Sequence, residues 1–125
     1  MSLGSRMNSP SETARKYASM QIQTASNSRV ICMLHAKCIS LIQKASEIQN
    51  DQSGRRLLLD RAQNILAELE RVLVVDDDLS QGLFYLYDYC YCLLENSEKD
   101  SYRQAISILS LLRDTFNTLL RGSSQ

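Results

Sequence analysis

A chain of 125 residues is long enough to bury about two-thirds of its unfolded surface as one domain, with no need of disulfides or a structural metal. Its 14 basic and 14 acidic residues cancel and form no dense basic block, which argues against a protein that works by neutralising the phosphates of nucleic acid. With neither an apolar run of about 20 residues nor the apolar stretch of a signal peptide, the chain is expected in the cytoplasm without membrane insertion, its cysteines Cys32, Cys38, Cys90 and Cys92 serving as reduced, small apolar side chains.

Residues 1–16, rich in Ser, Thr and Asn, read as a flexible N-terminal arm, with Met1 to Met7 set aside as a candidate expression scar. Pro10 is the only proline, so nothing from Ser11 onward interrupts a helix by that route. Residues 17–125 read as a single domain. Polar breaks near 50–54, 75–80 and 96–101 divide it into helices near 27–50, 55–74, 79–96 and 101–121. Connections this short favour antiparallel neighbours. The expected fold is all-α, an antiparallel up-down four-helix bundle.

Each segment carries apolar residues at the alternating three- and four-residue spacing that keeps side chains on one helical face. The first seam reads Ile31, Leu34, Cys38, Leu41, Ala45 and Ile48, and the second Leu58, Ala62, Ile65, Leu69 and Val72. The third reads Leu79, Leu83, Leu86, Cys90 and Leu93, and the fourth Tyr102, Ala105, Leu109, Leu112, Phe116 and Leu119. Ser26 or Asn27 can cap the first helix, Asp76 to Asp78 the third, and Asp100 or Ser101 the fourth, because their side-chain oxygens accept the unpaired N–H groups of a first turn.

Two helices carry more apolar residues than one seam needs. Leu59, Leu66 and Leu73 lie beside the second seam, and Phe84, Tyr87, Tyr91 and Leu94 beside the third. Such a surplus either widens the core face or forms surface grooves that accept an amphipathic helix. The run Tyr85, Tyr87, Tyr89 and Tyr91 favours the groove on the third helix, since each ring is apolar while its hydroxyl wants water or a partner.

Catalytic and metal chemistry find little support. Cys32, His35 and Cys38 share a helical face, yet Cys38 belongs to the core seam and three ligands leave a coordination position open. Cys90-Tyr91-Cys92 lacks redox spacing, because residues two apart on a helix point about 200° away from each other. No nucleophile motif or phosphate loop accompanies His35. Asp76 to Asp78 suit a helix N-terminus better than a bound cation. Arg55, Arg56, Arg61, Glu68, Glu70 and Arg71 read as a solvated face of the second helix. No enzymatic activity, catalytic residue, metal or cofactor is expected.

The ordered set Ile22-Gln23-Thr24-Ala25-Ser26-Asn27, Val30-Ile31-Cys32-Met33-Leu34, Arg61-Ala62-Gln63 and Leu86-Tyr87-Asp88-Tyr89 resembles the flagellin export chaperone family, over roughly Tyr17 to Phe116. The resemblance implies a helical chaperone that receives the disordered C-terminal region of flagellin in surface grooves and prevents premature polymerisation. It also implies that Tyr17, Ile22 and the turn Thr24, Ala25, Ser26 form an N-terminal segment able to fold over part of the groove, beside the plainer reading of Ile22 as a hydrophobic staple. The expected client contacts are Tyr17, Ile22, Leu59, Leu66, Leu73, Phe84, Tyr87, Tyr91 and Leu94. The chain departs from the family pattern at Asn27, where a proline is usual, at His35-Ala36-Lys37, where Tyr-Asp-Gly is usual, at Asp76-Asp77-Asp78 in place of a double glycine, and at Phe116 in place of a tryptophan. A co-chaperone or export-apparatus component is an alternative partner, and a self-associating structural or regulatory bundle is the alternative function. A monomer or weak dimer is expected.

Overall fold

The computed structural model describes residues 25–72, 78–96 and 98–123. These form α1 (Ala25–Glu47), α2 (Gln52–Arg71), α3 (Asp78–Leu93) and α4 (Lys99–Ser123), with no strand among the described residues. The helices make an antiparallel up-down bundle in which α1 packs broadly on α2 and α4, while α3 rests more thinly on the same two neighbours. The N-terminal arm, Tyr17, Ile22, Thr24, Leu73, Asp76 and Asp77 lie outside the described residues. Ala25 and Ser26 fall in the opening turn of α1, which therefore starts earlier than its expected caps.

The start of α2 also lies ahead of expectation, and the cause is local. Asp51 is its N-cap, its carboxylate accepting a hydrogen bond from the Gly54 N–H at 2.9 Å. That satisfies one orphan donor of the first turn, so Gly54 sits inside the helix instead of breaking it. A side chain at Gly54 would press on this carboxylate and oblige the cap to shift. At the other end of the chain, Asp100 lies in the first turn of α4, where its charge favours the helix dipole.

The core contains Ile31, Cys38, Ile42 and Ala45 from α1, Leu59, Ala62, Leu66 and Leu69 from α2, and Leu83, Tyr87, Cys90 and Leu94 from α3 and its end. Tyr102, Ala105, Leu109, Leu112 and Phe116 of α4 complete it and match the seam read from spacing. Because α1 is flanked on two sides, it buries an unusually wide arc that also takes in Cys32, His35, Ile39 and Leu41.

The inner helices are turned relative to expectation. On α3 the buried face is Leu83, Tyr87, Cys90 and Leu94, and Leu86 and Leu93 are only partly buried. At 100° per residue this face lies about 50° around the helix from the one the aliphatic residues suggest. On α2 the rotation is about 75°: Leu59 and Leu66, read as surplus, point inward, Leu58 and Ile65 are partly buried, and Val72 is exposed. Both rotations bring a polar residue inside, Tyr87 on α3 and Gln63 on α2, and each has a hydrogen-bond partner that offsets its desolvation.

Leu112→Ala should therefore cost about 2–5 kcal/mol in a urea melt, the range for emptying a fully buried leucine site. Leu86→Ala should cost much less, because its side chain is only partly buried. Equal losses would restore the aliphatic reading of α3.

Candidate functional site

Two polar constructions hold α3, and together they decide which of its side chains reach the surface. The first lies on the bundle axis. His35 of α1 is fully buried, and its Nε2 is 2.9 Å from the Tyr87 hydroxyl across the diagonal of the bundle. Its ring is flanked by Tyr87 and Phe116, each with a centroid distance of 5.6 Å. His35 Nδ1 meets no hydrogen-bond partner among the described residues. The less costly arrangement puts the ring proton on Nε2, donating to Tyr87, and leaves Nδ1 with only an unused lone pair. Burial, assisted by the positive charge of Arg113, lowers the His35 pKa to about 3, so the ring is neutral at physiological pH.

The second construction closes the C-terminal end of α3. Gln63 of α2 is buried, its Nε2 donating to the Tyr91 carbonyl at 3.0 Å and to Glu95 Oε2 at 2.8 Å. Arg56, two turns away on the same face of α2, donates to Gln63 Oε1 at 2.7 Å and to the Leu94 carbonyl at 3.0 Å. Arg56 Nε is in turn oriented by Asp60 at 2.8 Å. Arg56 was expected on a solvated face; instead its guanidinium serves a neighbouring helix. The clue was its spacing to Gln63, i and i+7, which places both on one side of α2.

With Tyr87 turned inward, Phe84, Tyr85, Asp88, Tyr89 and Cys92 occupy an outward arc of about 140° on α3. Tyr85 is 55% exposed, Tyr89 42% and Phe84 38%. Tyr89 donates from its hydroxyl to Gln104 Oε1 of α4 at 3.3 Å. Since the two helices are antiparallel, one turn back to Tyr85 corresponds to one turn forward to Ile108, and the next step on α4 reaches the exposed Leu111. An aromatic and aliphatic face thus runs along the α3–α4 seam. Its opposite edge, towards α2, is acidic: partial burial and the negative charge of Asp88 raise the Glu70 pKa.

The residues expected to contact a client divide into two sets. Leu59, Leu66, Tyr87 and Leu94 are in the interior, none more than 1% exposed, and the wide-core alternative accounts for Leu59 and Leu66. Tyr87 and Leu94 are interior because the rotation of α3 carries them to the axis. Phe84 is exposed and Tyr91 partly exposed, while Tyr85 and Tyr89 join them on the surface although the earlier stripe omitted them. Cys32, His35 and Cys38 do not converge on one point: Cys38 Sγ donates to the Ala62 carbonyl at 3.5 Å and His35 engages Tyr87. No group of three metal-binding side chains occurs among the described residues. Burial pushes the Cys90 thiol up to about 12 and the Cys38 thiol higher still, so both are protonated and poor nucleophiles at neutral pH. Among the described residues no helix is long and apolar enough to cross a membrane.

A family model described as Flagellar protein FliS matches residues 10–123. No curated protein and no solved structure gives a significant match.

The neutral His35 makes stability depend on acidity. Its ordinary pKa of 6.5 applies in the unfolded chain, whereas the folded value is about 3. Below about pH 6.5 the unfolded state takes up a proton that the folded state refuses. Stability should therefore be greatest above that pH and fall towards pH 3, with a slope contribution approaching about 1.4 kcal/mol per pH unit. Urea melts at pH 7 and 4.5 should differ less for His35→Gln than for the unmutated chain; the same difference in both would remove His35 from the account.

Proposed function

Because this chain belongs to the flagellar export chaperone family, we propose that it binds the disordered C-terminal region of flagellin in the cytoplasm and keeps it from polymerising before export. The family is one of chaperones and not of enzymes. The observation that carries the finer reading is the pair of exposed rings Tyr85 and Tyr89 on the α4 side of α3, continued by Leu111 on α4, with the exposed Phe84 at the other edge of the outward arc. A contiguous apolar surface of this kind suits the apolar side of an amphipathic helix that folds as it binds. Tyrosines are economical anchors there, since each contributes a large ring with few rotatable bonds and a hydroxyl that tolerates water in the free state.

In this reading Tyr85 and Tyr89 touch the client on the α4 side of α3, and Phe84 and the open flank of Tyr91 touch it on the α2 side. Tyr17, Ile22 and Leu73 are proposed contacts from outside the described residues, and of the N-terminal motif Thr24, Ala25, Ser26 the last two form the opening turn of α1. Leu59, Leu66, Tyr87 and Leu94 act from beneath, by fixing the helices that bear the face.

The test is a calorimetric titration with a flagellin C-terminal peptide. Tyr85→Ser with Tyr89→Ser should leave the urea midpoint nearly unchanged, because both rings are exposed, and should weaken binding by about 2 kcal/mol or more, as loss of aromatic anchors does. The exposed pair Glu68 and Arg71 supplies the control, with Glu68→Gln and Arg71→Gln expected to change little. Full affinity in a folded double tyrosine variant would sink the surface assignment. A stable dimer that buries the same rings, with no peptide binding, would favour self-association instead.

A further inference from the structure

We infer that Arg56 and Gln63 are positioning residues that hold the aromatic face of α3 in its client-receiving place, an inference that rests on reading that face as the client surface. The starting point is the way α3 ends. The last carbonyls of a helix have no intrahelical partner, and many helices solve this with a left-handed glycine or a cation in the final turn. Here α3 has no basic residue in its last turn, and no residue of positive φ occurs among the described residues. Local bonds deal with part of the deficit: the Leu94 N–H reaches the Cys90 and Tyr91 carbonyls, and the Glu95 N–H that of Cys92.

Further donors come from α2. Arg56 supplies the missing cation and donates to the Leu94 carbonyl, while Gln63 takes the Tyr91 carbonyl and the Glu95 side chain with its two amide protons. A buried amide that meets three partners at 2.7–3.0 Å tolerates little displacement of any of them. This matters because α3 has the thinnest packing on α4 of any pair of neighbours, and the Tyr89–Gln104 bond is an exposed one. Tyr89 and Cys92 stand in the same final turns that the clamp closes. Apolar contacts alone would let α3 slide or turn on its neighbours, whereas directional bonds at its end set its height and rotation.

The experiment compares Gln63→Glu, Gln63→Leu and the double change Gln63→Glu with Glu95→Gln, each shown by urea melt to be folded under assay conditions. Amide hydrogen exchange reads the clamp, and titration with a flagellin C-terminal peptide reads the face. Gln63→Glu sets a carboxylate against the Tyr91 carbonyl and Glu95, so protection of the Leu94 and Glu95 amides should drop about tenfold and peptide affinity by a similar factor. The double change returns one donor and one acceptor to the contact between residues 63 and 95 with their places exchanged, leaves the Tyr91 carbonyl without its side-chain donor, and should recover part of both losses. If Gln63→Glu fails to fold, Gln63→Leu, which removes the amide without adding charge, is read in the same two ways. Unchanged exchange overturns the clamp itself. Loosened amides with undiminished affinity overturn the positioning role, and absence of peptide binding by the unmutated chain overturns the client reading on which it rests.

Discussion

The hydrogen bond between His35 and Tyr87 is the constraint on which the arrangement of α3 depends. A tyrosine ring brings its hydroxyl wherever it goes, and burying that hydroxyl without a partner, as at Tyr102 among the described residues, is costly. His35 removes that obstacle at the centre of the bundle, so Tyr87 turns to the axis and Leu86 to the flank. The rest of the helix follows as a rigid body. Phe84, Tyr85 and Tyr89 are thereby carried outward, and the surface aromatic face is the geometric complement of one buried ring.

The bundle divides its stabilising forces unevenly. Between α1 and its two neighbours the contact is broad and apolar, with buried residues over much of the α1 circumference. Helix α3 is shorter, at 16 residues, and relies more on polar contacts at defined points: His35 near its middle, Gln63 and Arg56 at its end. Apolar area gives strength without direction, whereas hydrogen bonds give direction for modest net strength. The binding role proposed for α3 calls for a defined rotation more than for a large share of the core.

The sequence made the architecture legible: four helices, their order, their short connections and the core face of α4 from Tyr102 to Phe116 all follow from spacing and polar breaks. The rotation of α2 and α3 was not legible, for a physical reason. Leu58 and Leu59, or Leu86 and Tyr87, are adjacent apolar candidates, and the choice between them is made by Gln63 and Tyr87, whose partners lie on other helices. Spacing within one helix carries no record of that. Arg56 was misread for the same reason, because its role is defined by the end of α3. The cap at Asp51 was readable and was obscured by Gly54, which looks like a break yet sits under the cap that starts the helix. Of the candidate site, the tyrosine-rich run on α3 could be read in advance. The sorting of those tyrosines into inner and outer could not.

Burial also sorts the thiols. Cys32, Cys38 and Cys90 are buried, and burial raises the pKa of each, while Cys92 alone of the four faces solvent, on the outward arc of α3. Alkylating reagents attack thiolates that they can reach. The native chain therefore carries one addressable attachment point, one turn beyond Asp88 and beside Tyr89, and a fluorophore or spin label placed there would report occupancy of this face without any engineered cysteine.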